Sequence, residues 1–171
     1  AKFEALTTGD PMDAATDIGP LVNAESLEEV TGQVAQALKD GALRVAGAEA
    51  MDGNGYFFRP GILENIPPKS RAYHEEIFAP VMLLFKVENV DEAIRIANES
   101  PFGLGSAIFT QDEAEQMEAI RELEAGATFV NAMTSSDPRL PFGGIKRSGY
   151  GRELAAEGIR AFCNVKTVSI A

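Results

Sequence analysis

Residues 141–153 read Pro141-Phe142-Gly143-Gly144-Ile145-Lys146-Arg147-Ser148-Gly149-Tyr150-Gly151-Arg152-Glu153. Glycine at 143, 144, 149 and 151 permits positive φ and close backbone approach, and two adjacent basic residues, Lys146 and Arg147, sit between these glycines. A phosphate-cradling loop is the first chemistry to try, and it fails on spacing. That pattern ends in Gly-Lys-Ser/Thr, whereas Lys146 here precedes Ser148 and Gly149. The dinucleotide fingerprint fails as well, because Leu154 stands where its third glycine belongs. On local chemistry the stretch is a tightly folded loop entering a helix.

The rest of the chain limits what that loop can serve. A length of 171 residues favours one domain, 1–171, and 45% hydrophobic residues suffice for one core. The net charge of −11 disfavours nucleic acid and anionic membrane surfaces as partners. No apolar run approaches the length of a membrane span, and the N-terminus lacks the plan of a signal peptide. The single cysteine, Cys163, excludes an intrachain disulfide, and with one histidine, His74, no metal site is expected. The composition is that of a cytoplasmic, acidic α/β domain. Its opening residues, Ala1-Lys2-Phe3, carry no start methionine, which suggests a segment of something larger.

Hydrophobic periodicity predicts an alternation of helices and strands. A helix is expected over 24–40, with Ser26 and Glu29 as a capping box and Gly41 as its stop. Strands are expected over 42–46 and 56–62, then a helical turn after Arg71. The apolar run 81–87 suits a strand buried on both faces. Helices over 90–98, 112–124 and 152–162 alternate with strands over 106–110, 128–131 and 165–170. Such alternation implies an α/β fold with a mostly parallel sheet and crossover helices.

Three blocks together resemble the NAD(P)-dependent aldehyde dehydrogenases, and the resemblance runs from about Gly9 to the C-terminus. They are Gly9-Asp10-Pro11 with Ile18-Gly19-Pro20-Leu21; Glu75-Glu76-Ile77-Phe78-Ala79-Pro80-Val81; and Val130-Asn131 followed by the glycine-rich stretch. Ala79 departs from the pattern, which usually has glycine there. In the family these blocks follow the catalytic cysteine and the general-base glutamate. The resemblance therefore implies the C-terminal portion of a catalytic domain, with no catalytic residue in this chain, inactive by itself. Cys163, at a helix-to-strand junction, is expected to be a buried, inert thiol.

The resemblance also implies roles for particular residues. Glu76 matches the glutamate that holds the nicotinamide ribose hydroxyls, and Phe78 the aromatic near the nicotinamide ring, so the cofactor is NAD or NADP in the full-length enzyme. Phe142 matches a position lining the aldehyde pocket. Ser136 matches a serine that binds the distal carboxylate in succinate-semialdehyde dehydrogenases. The polar run Thr134-Ser135-Ser136-Asp137-Pro138-Arg139 suits an anionic substrate end better than an apolar pocket would. Arg139 could join that site or form an exposed salt bridge or subunit contact. Residues 164–171 match a strand that pairs subunits, so a homo-oligomer is expected. Two other readings stay open: a dehydrogenase for another short polar aldehyde, and a non-catalytic binding or assembly domain.

Overall fold

The computed structural model describes residues 2–171. The chain divides into two compact units, one running to Lys86 and the other spanning Val87–Ala171.

The first unit is built on helix α1, Ala24–Asp40. Its amphipathic spacing puts Val30, Val34 and Ala37 on one face, each no more than 2% exposed. The start differs from the expected capping box. Asn23 is the cap, its side chain accepting from the Ser26 backbone N–H at 2.8 Å. Gly41 ends the helix in the left-handed conformation, as expected. The buried face packs on a sheet of strands β1 (Leu43–Ala46), β4 (Gly61–Glu64) and β5 (Val81–Leu84), ordered β1-β4-β5. A hairpin of β2 (Glu49–Ala50) and β3 (Phe58–Arg59) completes the unit. Phe58 and Leu63 are at most 1% exposed, and burial stabilises each by about 1.5–3 kcal/mol. Helix α2, Arg71–His74, is a single turn that adds Ala72 to the same core.

The pairing corrects the expectation of a mostly parallel sheet. β4 and β5 are parallel, but β1 and β4 run antiparallel with an irregularity between Arg44 and Ala46. Within this unit the β4–β5 link carries helix α2, whereas the chain between β1 and β4 is taken up by the β2–β3 hairpin and lays β4 antiparallel to β1. β5 is also not buried on both faces. Val81 and Leu83 pack on the core, whereas Met82 and Leu84 remain 44% and 39% exposed. As an edge strand, β5 has one face against α1 and its neighbours, and alternation exposes the other.

In the second unit, helix α3 (Val90–Asn98) matches its expected bounds, and Asn89 caps it. Strand β6 (Phe102–Gly103) pairs antiparallel with β9 (Ile145–Lys146), and β7 (Ser106–Ile108) pairs parallel with β8 (Thr128–Val130). Helix α4 (Glu113–Glu122) connects β7 to β8 and is capped by Asp112, as its sequence predicts. Helix α5 covers only Ala155–Arg160 rather than 152–162. Leu154 and Ala155 have φ of 63° and 49°, so a continuous helix cannot begin at Arg152. The expected C-terminal strand is also corrected. Residues 164–171 form no strand and are exposed throughout. Alternating residues can favour extension, but a strand needs a backbone partner, and none of the described strands supplies one.

Candidate functional site

In the first unit, the segment after α2 carries Glu76 and Phe78. Arg71 grips the neighbouring Glu75 with two hydrogen bonds, Nε to Oε1 at 2.9 Å and Nη2 to Oε2 at 2.7 Å. Glu76 is held through its backbone, whose carbonyl accepts from Gln33 Nε2 at 3.4 Å, and its side chain is exposed. Two tight backbone bonds follow, Ala79 N–H to Ile77 O at 2.8 Å and Val81 N–H to Ala79 O at 2.7 Å. Ala79 takes part with a negative φ and packs on the core, so the usual glycine is not needed for this backbone. Phe78 is 75% exposed, an unusual state for so large an apolar ring. An exposed carboxylate and an open aromatic face, two residues apart, fit a diol-bearing ligand with a flat ring.

In the second unit, Asn131 ends the β7–β8 pair with its side chain. Its Nδ2 donates to Thr110 O at 3.0 Å, and its Oδ1 accepts from Thr110 N–H at 3.0 Å. The amide thus continues the ladder as the backbone turns away at φ 54°. The polar run follows, with Ser136 exposed. Arg139 folds back on Asp137, Nε to Oδ1 at 2.9 Å, with its own backbone N–H donating to the same oxygen at 2.9 Å. The guanidinium holds the Asp137 carboxyl below its ordinary range, and the carboxylate raises Arg139 in return. Of the roles open to Arg139, the structure therefore forms the exposed salt bridge.

Phe142 is half-buried and bridges Glu153 through paired backbone bonds of 2.9 and 2.8 Å. It lines an open groove of about 890 Å³ together with Leu104, Leu154, Ile159 and Phe162. The lining is mainly apolar, and its volume is within the usual span of small-molecule sites. Ser136 is not part of that wall. Glu76 and Phe78 belong to the first unit, and Ser136 and Phe142 to the second.

What holds the glycine-rich loop was not apparent from the sequence. Lys146 Nζ donates to Asn98 O at 2.7 Å and Ser100 O at 3.2 Å, and pairs with Glu124 Oε2 at 2.6 Å. It thereby neutralises the carbonyl-rich end of α3. Arg152 Nη1 donates to Gly144 O at 2.9 Å and Gly151 O at 2.6 Å, and Ser148 Oγ accepts from Gly103 N–H at 3.0 Å. A side chain at Gly126 would place its Cβ 1.7 Å from Gly143 O, so the loop requires glycine there for close approach. Lys146 and Arg152 therefore bind carbonyls of their own chain, while the Arg147 guanidinium lies over the Phe102 ring, 5.6 Å from its centroid. The only advance sign of that arrangement was their occurrence among glycines without phosphate-loop spacing. Cys163 also differs from expectation. It is exposed, with Sγ donating to Ile159 O at 3.5 Å, because the chain beyond α5 has no layer packed over it.

Among the described residues no group of His, Cys, Asp and Glu could hold a metal ion, and no helix is long and apolar enough to cross a membrane.

The sequence profile of the aldehyde dehydrogenase family matches residues 1–168, and the chain belongs to that family. It is 50% identical over 167 residues to succinate-semialdehyde dehydrogenase [NADP(+)] 1 of Mycobacterium ulcerans, covering 98% of this chain and 36% of that protein. It is 49% identical over 169 residues to a probable succinate-semialdehyde dehydrogenase [NADP(+)] of Synechocystis, covering 99% of this chain and 37% of that one. The crystal structure of succinic semialdehyde dehydrogenase from Streptococcus pyogenes in complex with NADP+ superposes with a TM-score of 0.92 at 40% identity. That match covers 98% of this chain and 37% of the other. The chain thus spans little more than a third of the length of these relatives.

Proposed function

We propose that the chain is the C-terminal portion of the catalytic domain of an aldehyde dehydrogenase. Within a longer protein it serves the oxidation of succinic semialdehyde to the dicarboxylic acid. The observation that carries this reading is the alignment of nearly the whole chain, at 50% identity, with an enzyme named for that substrate. NAD or NADP, with NADP named for the relatives, supplies the hydride acceptor when bound. Glu76 accepts hydrogen bonds from the ribose hydroxyls of the nucleotide, and Phe78 packs beside its nicotinamide. Ser136 donates its hydroxyl to the distal carboxylate of the substrate, and Phe142 walls the aldehyde end. The catalytic thiol and the general base come from outside these 171 residues, so the chain alone is inactive. The assembled enzyme is a cytoplasmic homo-oligomer in which residues 164–171 pair with another subunit. The uncovered apolar side chains of β5 and the C-terminal segment support a chain packed against further protein.

The test uses the longer enzyme carrying Ser136→Phe. Its kcat/KM for succinic semialdehyde is expected to fall about tenfold or more, as loss of one hydrogen bond to a charged group requires, with an uncharged aldehyde of equal length little affected. An unchanged preference removes Ser136 from substrate recognition. NAD(P)-dependent aldehyde oxidation by the 171-residue chain alone would overturn the reading of an incomplete catalytic unit.

A further inference from the structure

We propose that Asn54 is a site of spontaneous deamidation and isoaspartate formation, located at the tip of the β2–β3 hairpin. The hairpin loop covers residues 51–57 and is closed by Met51 N–H donating to Phe57 O at 3.0 Å. Asn54 and its flanking glycines are exposed at that tip. Asn54-Gly55 is the only Asn-Gly pair in the chain. Gly53 and Gly55 hold φ of 117° and 109°, and among the described residues the Asn54 side chain makes no hydrogen bond. Nothing in the fold therefore immobilises the amide, and no side chain on residue 55 shields the backbone nitrogen that must reach it.

The chemistry balances within the chain and solvent water. The Gly55 backbone nitrogen, having lost its proton to water or hydroxide, attacks the Asn54 side-chain carbonyl carbon. A C–N bond forms, ammonia leaves, and a five-membered succinimide results. Water then opens either carbonyl of that ring. Opening at the former main-chain carbonyl leaves isoaspartate, with the backbone rerouted through the side chain; opening at the other leaves aspartate. Either product adds one carboxylate to a chain of net charge −11, beside Asp52.

The fold also explains why the vulnerable glycine is difficult to replace. A Cβ on Gly55 would lie 2.6 Å from the Phe57 ring, and φ of 109° is strained for any other residue. The isoaspartyl product presents the chemistry that an isoaspartyl carboxyl methyltransferase recognises. An exposed hairpin tip can enter such an active site without unfolding of Phe58 and the core behind it.

The experiment incubates the folded chain at neutral and mildly alkaline pH and maps peptides by mass. Asn54→Gln serves as the control, and methylation by an isoaspartyl methyltransferase serves as a second readout. The peptide containing residue 54 is expected to gain about one mass unit, faster at higher pH, and to accept methyl groups. At Asn164, which is also exposed but precedes the β-branched Val165, the reaction is expected to be about tenfold or more slower. Asn54→Gln is expected to abolish the mass gain and the methylation that maps to residue 54. An intact Asn54 in the folded chain, under conditions where the urea-unfolded chain reacts, would overturn the proposal. Equal rates at Asn54 and Asn164 would overturn it too.

Discussion

Lys146 sits at φ 53°, a backbone region few non-glycine residues occupy, and its ammonium spans two carbonyls at the end of α3. With the side chain only 24% exposed, removing that charge leaves both acceptors short of a donor. Lys146→Met is therefore expected to destabilise the chain by about 1–3 kcal/mol, measured as a lower urea midpoint at unchanged slope. Lys146→Arg should recover only part of the loss, since a planar fork is a poor substitute for a point donor between these carbonyls. A second residue-scale effect concerns Glu118 on α4. A hydrogen bond with Asp91 on α3, aided by desolvation and charge repulsion, raises its carboxyl above the ordinary value. A raised folded pKa means that the fold favours the protonated form. The stabilisation is full below the ordinary carboxylate value and disappears as pH rises through the raised one. Glu118→Gln is expected to raise the melting temperature at neutral pH, with the advantage shrinking to nothing on acidification. A pH-independent difference between the two proteins would exclude this linkage.

At the scale of elements, α1 had bounds that could be read from its apolar stripe and from Gly41, but its cap could not. Ser26 and Glu29 have capping-box spacing, yet the chain enters the helix at Asn23, whose oxygen reaches the Ser26 amide first. Asn23→Ala is expected to cost about 1 kcal/mol, and Ser26→Ala only a few tenths, a ratio opposite to that of a capping box. Thermal denaturation of the two variants measures this directly. Helices α3 and α4 were legible for the same reason as α1: periodicity and a cap are local properties. Strand partners are not local. Nothing in residues 43–46 states that they will lie antiparallel to 61–64, and nothing in 165–170 states whether a partner strand is present.

For the molecule as a whole, the apolar surface is unusually open. Phe162, which lines the apolar groove, is 93% exposed, and Val165 and Ile170 are 99% and 91% exposed. The isolated chain is expected to self-associate with rising concentration, and Val165→Lys with Ile170→Lys to reduce that association. Sedimentation velocity across a concentration series measures it, and a monomer at every concentration would show these faces to be inert. The sequence by itself determined the family, helices α1, α3 and α4, and the acidic character. Each of these is written in residue type, spacing or register. The tertiary structure alone decided the mixed strand pairing, the open face of β5, the exposure of Cys163 and the carbonyl-binding role of Lys146 and Arg152. These depend on which distant segments meet. The capping carbonyls of Lys146 lie nearly fifty residues upstream, a contact that only the folded chain brings within hydrogen-bond reach.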